Sequence, residues 1–223
     1  MAYNSRMAKF LDFSKDIELL NQFNADLIIG IDEVGRGAWA GPVCIGAYVL
    51  DINNHEYLEG INDSKLVKKE KREELCPLLL KEKNLVLTGE LDSINTVGIG
   101  KTISNLILNA VNVLNEYAVS SNKKAIFIID GQFSNNFGEN TIKRIKADST
   151  YYSVGAASII AKVYRDNLMN TFHSSYNLYG FDRNKGYPTQ FHLSALNMHG
   201  VSPLHRRSFK PISKQLGLFN ENN

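Results

Sequence analysis

The chain has 223 residues, 43% apolar and 22% charged, with a net charge of +2. That is enough for one compact domain with at most a small appendage, and the composition is that of an ordinary soluble globular protein. Two cysteines without CxxC spacing, Cys44 and Cys76, argue against a disulfide framework or a cysteine zinc site and point to a reducing compartment.

Residues 1–24 lack the basic-then-apolar layout of a secretion signal, and no apolar run reaches the ~20 residues that a membrane-spanning helix needs, so a cytoplasmic protein with no membrane partner is expected. Leu27 to Ile31 reads as a buried strand and runs into Asp32-Glu33-Val34-Gly35-Arg36-Gly37. Two adjacent carboxylates at the end of a buried strand repel each other, and a bound divalent cation or protonation of one of them relieves the cost. Gly35 and Gly37 free the backbone for a turn close to a ligand, and Arg36 offers a fork of donors suited to phosphate. A solvated turn is the plain alternative, and these residues alone do not separate the two.

Val43 to Leu50 reads as a second strand, 67–80 as a helix whose Lys68-to-Glu74 run is a solvated face, and Asn84 to Leu91 as a third strand. From Ile99, apolar residues recur at helical spacing through Ile103, Leu106, Ile107, Ala110, Val113, Leu114 and Tyr117. Ala125 to Ile129 is a further buried strand, and it too ends in a carboxylate, Asp130. Strand ends are where open α/β sheets gather residues distant in sequence, so Asp32 and Asp130 are expected to converge. Asp148 precedes a helix over 154–170 and reads equally as a cap or turn residue. Residues 183–214 hold Arg183, Lys185, Arg206, Arg207, Lys210 and Lys214 without an acidic residue, a charge of +6, which leaves −3 on residues 1–182 once Glu221 is counted. A basic segment of this kind can follow a phosphate backbone.

Gly30-Ile31-Asp32-Glu33-Val34-Gly35-Arg36-Gly37, Ala40-Gly41-Pro42-Val43, Asn62-Asp63-Ser64-Lys65, Ile129-Asp130-Gly131, Ala147-Asp148-Ser149, the run from Ala156 to Asp166, Asn184-Lys185-Gly186-Tyr187 and His205-Arg206-Arg207-Ser208-Phe209 together resemble, in order, the signature blocks of ribonuclease HII. The resemblance covers residues 27–211, and Gly-Arg-Gly is similar to this branch rather than to ribonuclease HIII. Ala38-Trp39 stands where the family usually has Pro-Leu, and Pro188 where it usually has Gly.

The resemblance implies an α/β, ribonuclease H-like fold: a mixed sheet flanked by helices, with the first three strands in an antiparallel meander, a later strand parallel to the first, and a helical, basic C-terminal segment. It implies an N-terminal extension over 1–26, a catalytic domain over 27–211 and a tail over 212–223. Asp32, Glu33, Asp130 and Asp148 would be the catalytic carboxylates, holding two Mg²⁺ or Mn²⁺ ions, hard cations suited to oxygen ligands. The substrates would be the RNA strand of RNA/DNA hybrids and single ribonucleotides in duplex DNA, cut to 3′-hydroxyl and 5′-phosphate ends. Gly35, Arg36 and Gly37 would contact the 2′-hydroxyl and its phosphate, Tyr187 the next sugar, and Ser64, Lys65, Arg206 and Arg207 the phosphate backbone. Lys162, Arg165 and Asp166 read better as a structural charge cluster. The other readings are a different two-metal nuclease of the same fold and a catalytically silent nucleic-acid-binding module. Beyond the core, Gln215-Leu216-Gly217-Leu218-Phe219 resembles the short motif by which bacterial replication proteins engage the sliding clamp, with Gln215, Leu216, Leu218 and Phe219 as contacts. A tail packed on its own body is the alternative, and the protein is expected to act as a monomer.

Overall fold

The computed structural model describes residues 10–217. Five strands form one sheet in the order β3-β2-β1-β4-β5: β1 (Leu27–Val34), β2 (Val43–Leu50), β3 (Asn84–Gly89), β4 (Ala125–Asp130) and β5 (Thr141–Arg144). The near-continuous apolar runs of β1, β2 and β4 are those of strands covered on both faces, and they are buried along almost their whole length. β1 and β4 are parallel with Leu27 opposite Ala125 and Ile31 opposite Ile129, and β4 is parallel to β5 with Asp130 opposite Arg144. The expected adjacency of the first three strands and the parallel fourth are both present. β5, four residues without a buried side chain, carried no periodic signal.

The helices are α1 (Ser14–Phe23), α2 (Lys69–Leu79), α3 (Leu91–Val97), α4 (Ile99–Ser120), α5 (Tyr152–Ser175), α6 (Phe181–Asn184), α7 (Gln190–His199) and α8 (Lys210–Gln215). In α4 the buried stripe is Ile103, Ile107, Ala110, Val111, Leu114 and Ala118; Val113, expected inside, is exposed because a 3.6-residue period rotates it away. Among the described residues no single helix is long and apolar enough to cross a membrane. Both cysteines are free and buried.

The chain divides into two compact units. The first comprises the chain through Asp32, Gly46–Leu85 and Val113–Ile160. In it the start of α5 presses on β1 so closely that a Cβ on Gly30 would lie 2.2 Å from the Ser153 carbonyl carbon; only glycine fits there. Buried Asp16, on α1, accepts hydrogen bonds from the Tyr152 and Ser153 amides at 2.8 and 3.2 Å, supplying from a distant helix partners for the first amides of α5. The second unit comprises Glu33–Ile45, Val86–Asn112 and the chain from Ala161 onward. Its core gathers Ala40, Met169, Tyr179, Phe181, Leu196 and Ile212, with Trp39 and Phe209 packed against them.

Candidate active site

The parallel register sets Ile31 beside Ile129, so the next residues along each strand, Asp32 and Asp130, emerge together at the same end of the sheet. Ligand oxygens of Asp32, Glu33 and Asp130 lie within 4.8 Å of one another, as a shared cation requires. Asp148 is not in that group. It sits on a one-turn 3-10 helix, Ala147–Ser149, which the Ala147 N–H ties to Asp130 Oδ1 at 2.6 Å. Three of the four expected carboxylates are therefore clustered, and the fourth is held next to them by backbone.

Burial and carboxylate repulsion raise the proton affinity of Asp130 and Asp148. The Asp148 carboxyl is pushed up to about 6 by desolvation and then by Asp63 and Asp130, with Lys65 opposing. Asp130 is raised by the same desolvation, partly offset by the Ala147 N–H. Asp63, Lys65, Asp130, Lys146 and Asp148 line a cavity of about 420 Å³. Asp63 is the residue that sequence reading leaves out. It lies inside a signature block, but the Lys65 N–H donates to its Oδ1 at 2.9 Å, the bonding of an ordinary turn former, and nothing local reveals that it faces Asp148. All donors here are oxygens, Asp32 and Asp148 are buried, and the repulsion among them calls for positive charge; the set fits hard divalent cations.

The second unit supplies a different kind of site. Gly35 has φ +91°, and a Cβ there would meet Arg165 Nε at 2.2 Å, so the turn after β1 requires glycine. Arg36 is exposed, with Nη1 at 3.5 Å from Glu33 Oε1, and the Tyr187 hydroxyl accepts from the Gly35 N–H at 3.1 Å. The expected turn and the expected tyrosine thus meet. Gly37 lies open at the surface.

Two expected phosphate contacts point elsewhere. Arg206 is fully buried: Nε donates to the Gly41 carbonyl and Nη1 to the Arg36 carbonyl, both at 2.9 Å, so it braces the turn from beneath instead of meeting phosphate. Ser64 is also buried, its hydroxyl accepting from Ser158 Oγ at 2.9 Å. Both are corrected to structural positions; a charge count along the sequence cannot tell an arginine that faces water from one that faces carbonyls. Lys65 and Arg207 are exposed. Arg165, fully buried, donates Nε to Pro42 O at 2.9 Å, Nη1 to Lys185 O at 2.9 Å and Nη2 to Ala40 O at 3.2 Å, while Lys162 pairs with Asp166 at 2.7 Å. Gln215 ends α8 and Leu216 is exposed beyond it; Leu218 and Phe219 lie outside the described residues.

A family model described as Ribonuclease HII matches residues 29–212. The ribonuclease HII of Shewanella halifaxensis is 39% identical over 194 residues, covering 84% of this chain and 89% of that protein. Among solved structures, ribonuclease H2 from Pyrococcus horikoshii superposes with a TM-score of 0.68 at 24% identity, covering 88% of this chain and 100% of the other. The PCNA:RNase HII complex from Archaeoglobus fulgidus gives a TM-score of 0.69 at 22% identity, covering 82% and 95%.

Proposed function

The chain belongs to the ribonuclease HII family, a nuclease of ribonuclease H-like fold that acts on RNA/DNA hybrids, and from that premise we propose that it also cuts at single ribonucleotides embedded in duplex DNA, leaving 3′-hydroxyl and 5′-phosphate ends. The observation that carries this reading is the juxtaposition within one strand and its turn: Asp32 and Glu33, grouped with Asp130, are followed at once by Gly35 and Arg36. Asp32, Glu33, Asp130 and Asp148 would hold two Mg²⁺ or Mn²⁺ ions, which supply charge neutralisation for an in-line displacement by water at phosphorus. The chain's own residues do the rest. The Gly35-to-Gly37 turn, held by Arg206 on the Arg36 carbonyl and packed at Gly35 against the Arg165 side chain, presents Arg36 to the phosphate and backbone to the 2′-hydroxyl. Tyr187, held on the Gly35 amide, packs against the following sugar and favours deoxyribose there. Exposed Lys65 and Arg207 position the duplex through phosphate without reading sequence.

Residues 27–211 would form the catalytic domain, with 1–26 as an extension and 212–223 as a tail. The test is cleavage of three duplexes, one carrying a single ribonucleotide, one a continuous hybrid and one all DNA, with and without Mg²⁺. Metal-dependent cutting of the first two alone is expected; an uncut single-ribonucleotide duplex beside a cut hybrid would overturn the finer claim.

The tail from Gln215 to Phe219 is proposed as a sliding-clamp tether, a reading supported by its Gln-Leu-x-Leu-Phe pattern and by the exposure of Leu216. A tether raises local concentration on DNA without altering the site. Deleting residues 215–223 is expected to leave oligonucleotide cleavage intact and abolish binding to a bacterial clamp in a pull-down with purified proteins.

A further inference from the structure

A buried chain of hydrogen bonds in the second unit has its proton positions set by its two ends. At one end the Ser202 backbone N–H points at His205 Nδ1 at 3.0 Å, and an amide N–H can only donate. At the other end His192 Nδ1 lies 3.0 Å from the Tyr187 carbonyl, which can only accept. His192 therefore carries its hydrogen on Nδ1 and leaves Nε2 as an acceptor, while His205 accepts at Nδ1 and carries its hydrogen on Nε2. The two Nε2 atoms are 3.0 Å apart, and a single bond from His205 to His192 joins them. The Ser202 hydroxyl, 2.8 Å from His205 Nδ1, adds a second donor; the Ser202 carbonyl, at 3.4 Å, is too distant to compete. Both rings are fully buried. Burial lowers the basicity of both, that of His205 to about 4, and a proton added to either ring would set two hydrogens face to face.

The output of this chain is Tyr187. Its N–H donates to the Asn184 carbonyl at 2.9 Å, its carbonyl accepts from His192, and its hydroxyl accepts from Gly35. The Arg165 guanidinium lies 5.4 Å from its ring centroid. Pro188 restricts Tyr187 to extended backbone, and Thr189 Oγ1 accepts from the His192 N–H at 3.1 Å, anchoring His192 in the first turn of α7. Trp39, where the family usually has leucine, packs on the His192 ring with centroids 5.6 Å apart.

We infer that His192 and His205 are positioning residues for Tyr187, which through one directed hydrogen-bond chain set how strictly the enzyme demands a deoxyribose after the ribonucleotide it cuts. The inference rests on the reading of Tyr187 proposed above. Nitrogen-15 NMR of the histidines in the full chain at neutral pH reads the first half. His192 is expected as the Nδ1–H tautomer and His205 as the Nε2–H tautomer; the reverse assignment for either would overturn the inference. The second half is read by the ratio of cutting at a single embedded ribonucleotide to cutting of a continuous hybrid. His192→Phe, which keeps the ring and loses the donor, is expected to lower that ratio about fivefold, the worth of one lost hydrogen bond, with hybrid cutting unchanged within about twofold. His192→Asn, whose side-chain amide can still donate to the Tyr187 carbonyl, is expected to restore most of it. The His192→Phe/Tyr187→Ala pair is expected to fall no lower than Tyr187→Ala alone. If Tyr187→Ala lowers the ratio while His192→Phe leaves it unchanged, or if His192→Asn falls as low as His192→Phe, the positioning role is overturned and the Tyr187 reading stands. A ratio unmoved by Tyr187→Ala removes that reading itself. Should His192→Phe fail to fold, the tautomers and His192→Asn decide.

Discussion

The two units bury charge of opposite sign and treat it in opposite ways. In the second unit, Arg165 and Arg206 are surrounded by backbone carbonyls, five of which accept from them, so the protein itself answers five of their six nitrogens and leaves Arg206 Nη2 without a hydrogen-bond partner among the described residues. In the first unit, Asp16 is likewise met by two amides, but Asp148 faces other carboxylates, Asp63 and Asp130, across the cavity they line. A buried charge that the fold answers with backbone is there to hold the fold; one that the fold answers with more of the same charge is held for something that arrives from outside.

The sharpest way to break that contrast is to neutralise each side. Asp130→Asn or Asp148→Asn is expected to lower cleavage about 100-fold or more at saturating Mg²⁺, while the urea midpoint of the metal-free protein stays level or rises because repulsion is relieved. A variant that cuts normally would remove that residue from the metal set. Arg165→Met is the converse case. It is expected to cost about 3 kcal/mol or more in urea unfolding, because the Pro42, Ala40 and Lys185 carbonyls lose their donor. Unchanged stability with lost activity would assign Arg165 to the chemistry and collapse the distinction.

Acidification sharpens the comparison within structural groups, because the two units should respond with opposite signs. His205 is held near 4 against an ordinary 6.5, so its unfolded form takes up protons first, and its stability contribution, complete above 6.5, is lost as pH falls toward 4. Asp16 is raised from 3.8 to about 6 by burial, so its folded form takes up protons first, and stability rises as pH falls through 6 toward 3.8. Each is worth on the order of 3 kcal/mol across its window. Urea titrations of the parent, His205→Gln and Asp16→Asn between pH 4 and 7 are expected to show the first variant losing the acid-side decline and the second losing the acid-side gain; slopes of the same sign would refute the assignment.

What could be read along the chain was whatever a period or a strand end encodes. Continuous apolar runs located β1, β2 and β4, and carboxylates at the ends of β1 and β4 located two corners of the site. α1 carries no such signal: it sits in a polar stretch, and its reason to exist, Asp16 capping α5, is a contact across 136 residues. Asp63 looked like a turn residue because it is one, with a second role that only the fold supplies. Arg206 and Ser64 had the right chemistry for phosphate but the wrong exposure, and exposure is a property of packing that residue type does not fix. The His192–His205 pair is silent in the sequence for the same reason: two histidines thirteen residues apart acquire directed protons only when obligate donors and acceptors close around them.

The burial of Arg165 and Arg206 has a consequence for ionic strength. Each exposed cation that meets a nucleic-acid phosphate displaces condensed counterions and steepens the fall of log K with log salt by about 0.9. Cations sealed among carbonyls meet no phosphate and displace none, yet their field crosses protein rather than electrolyte and is weakly screened. The +6 segment from Arg183 to Lys214 therefore overstates the number of counterions released on binding, since Arg206 contributes nothing to it. With Arg207 on phosphate as proposed, its removal is expected to flatten the salt dependence, whereas buried Arg165 and Arg206 are expected to hold their part of the attraction at salt concentrations that would strip the exposed cations of theirs.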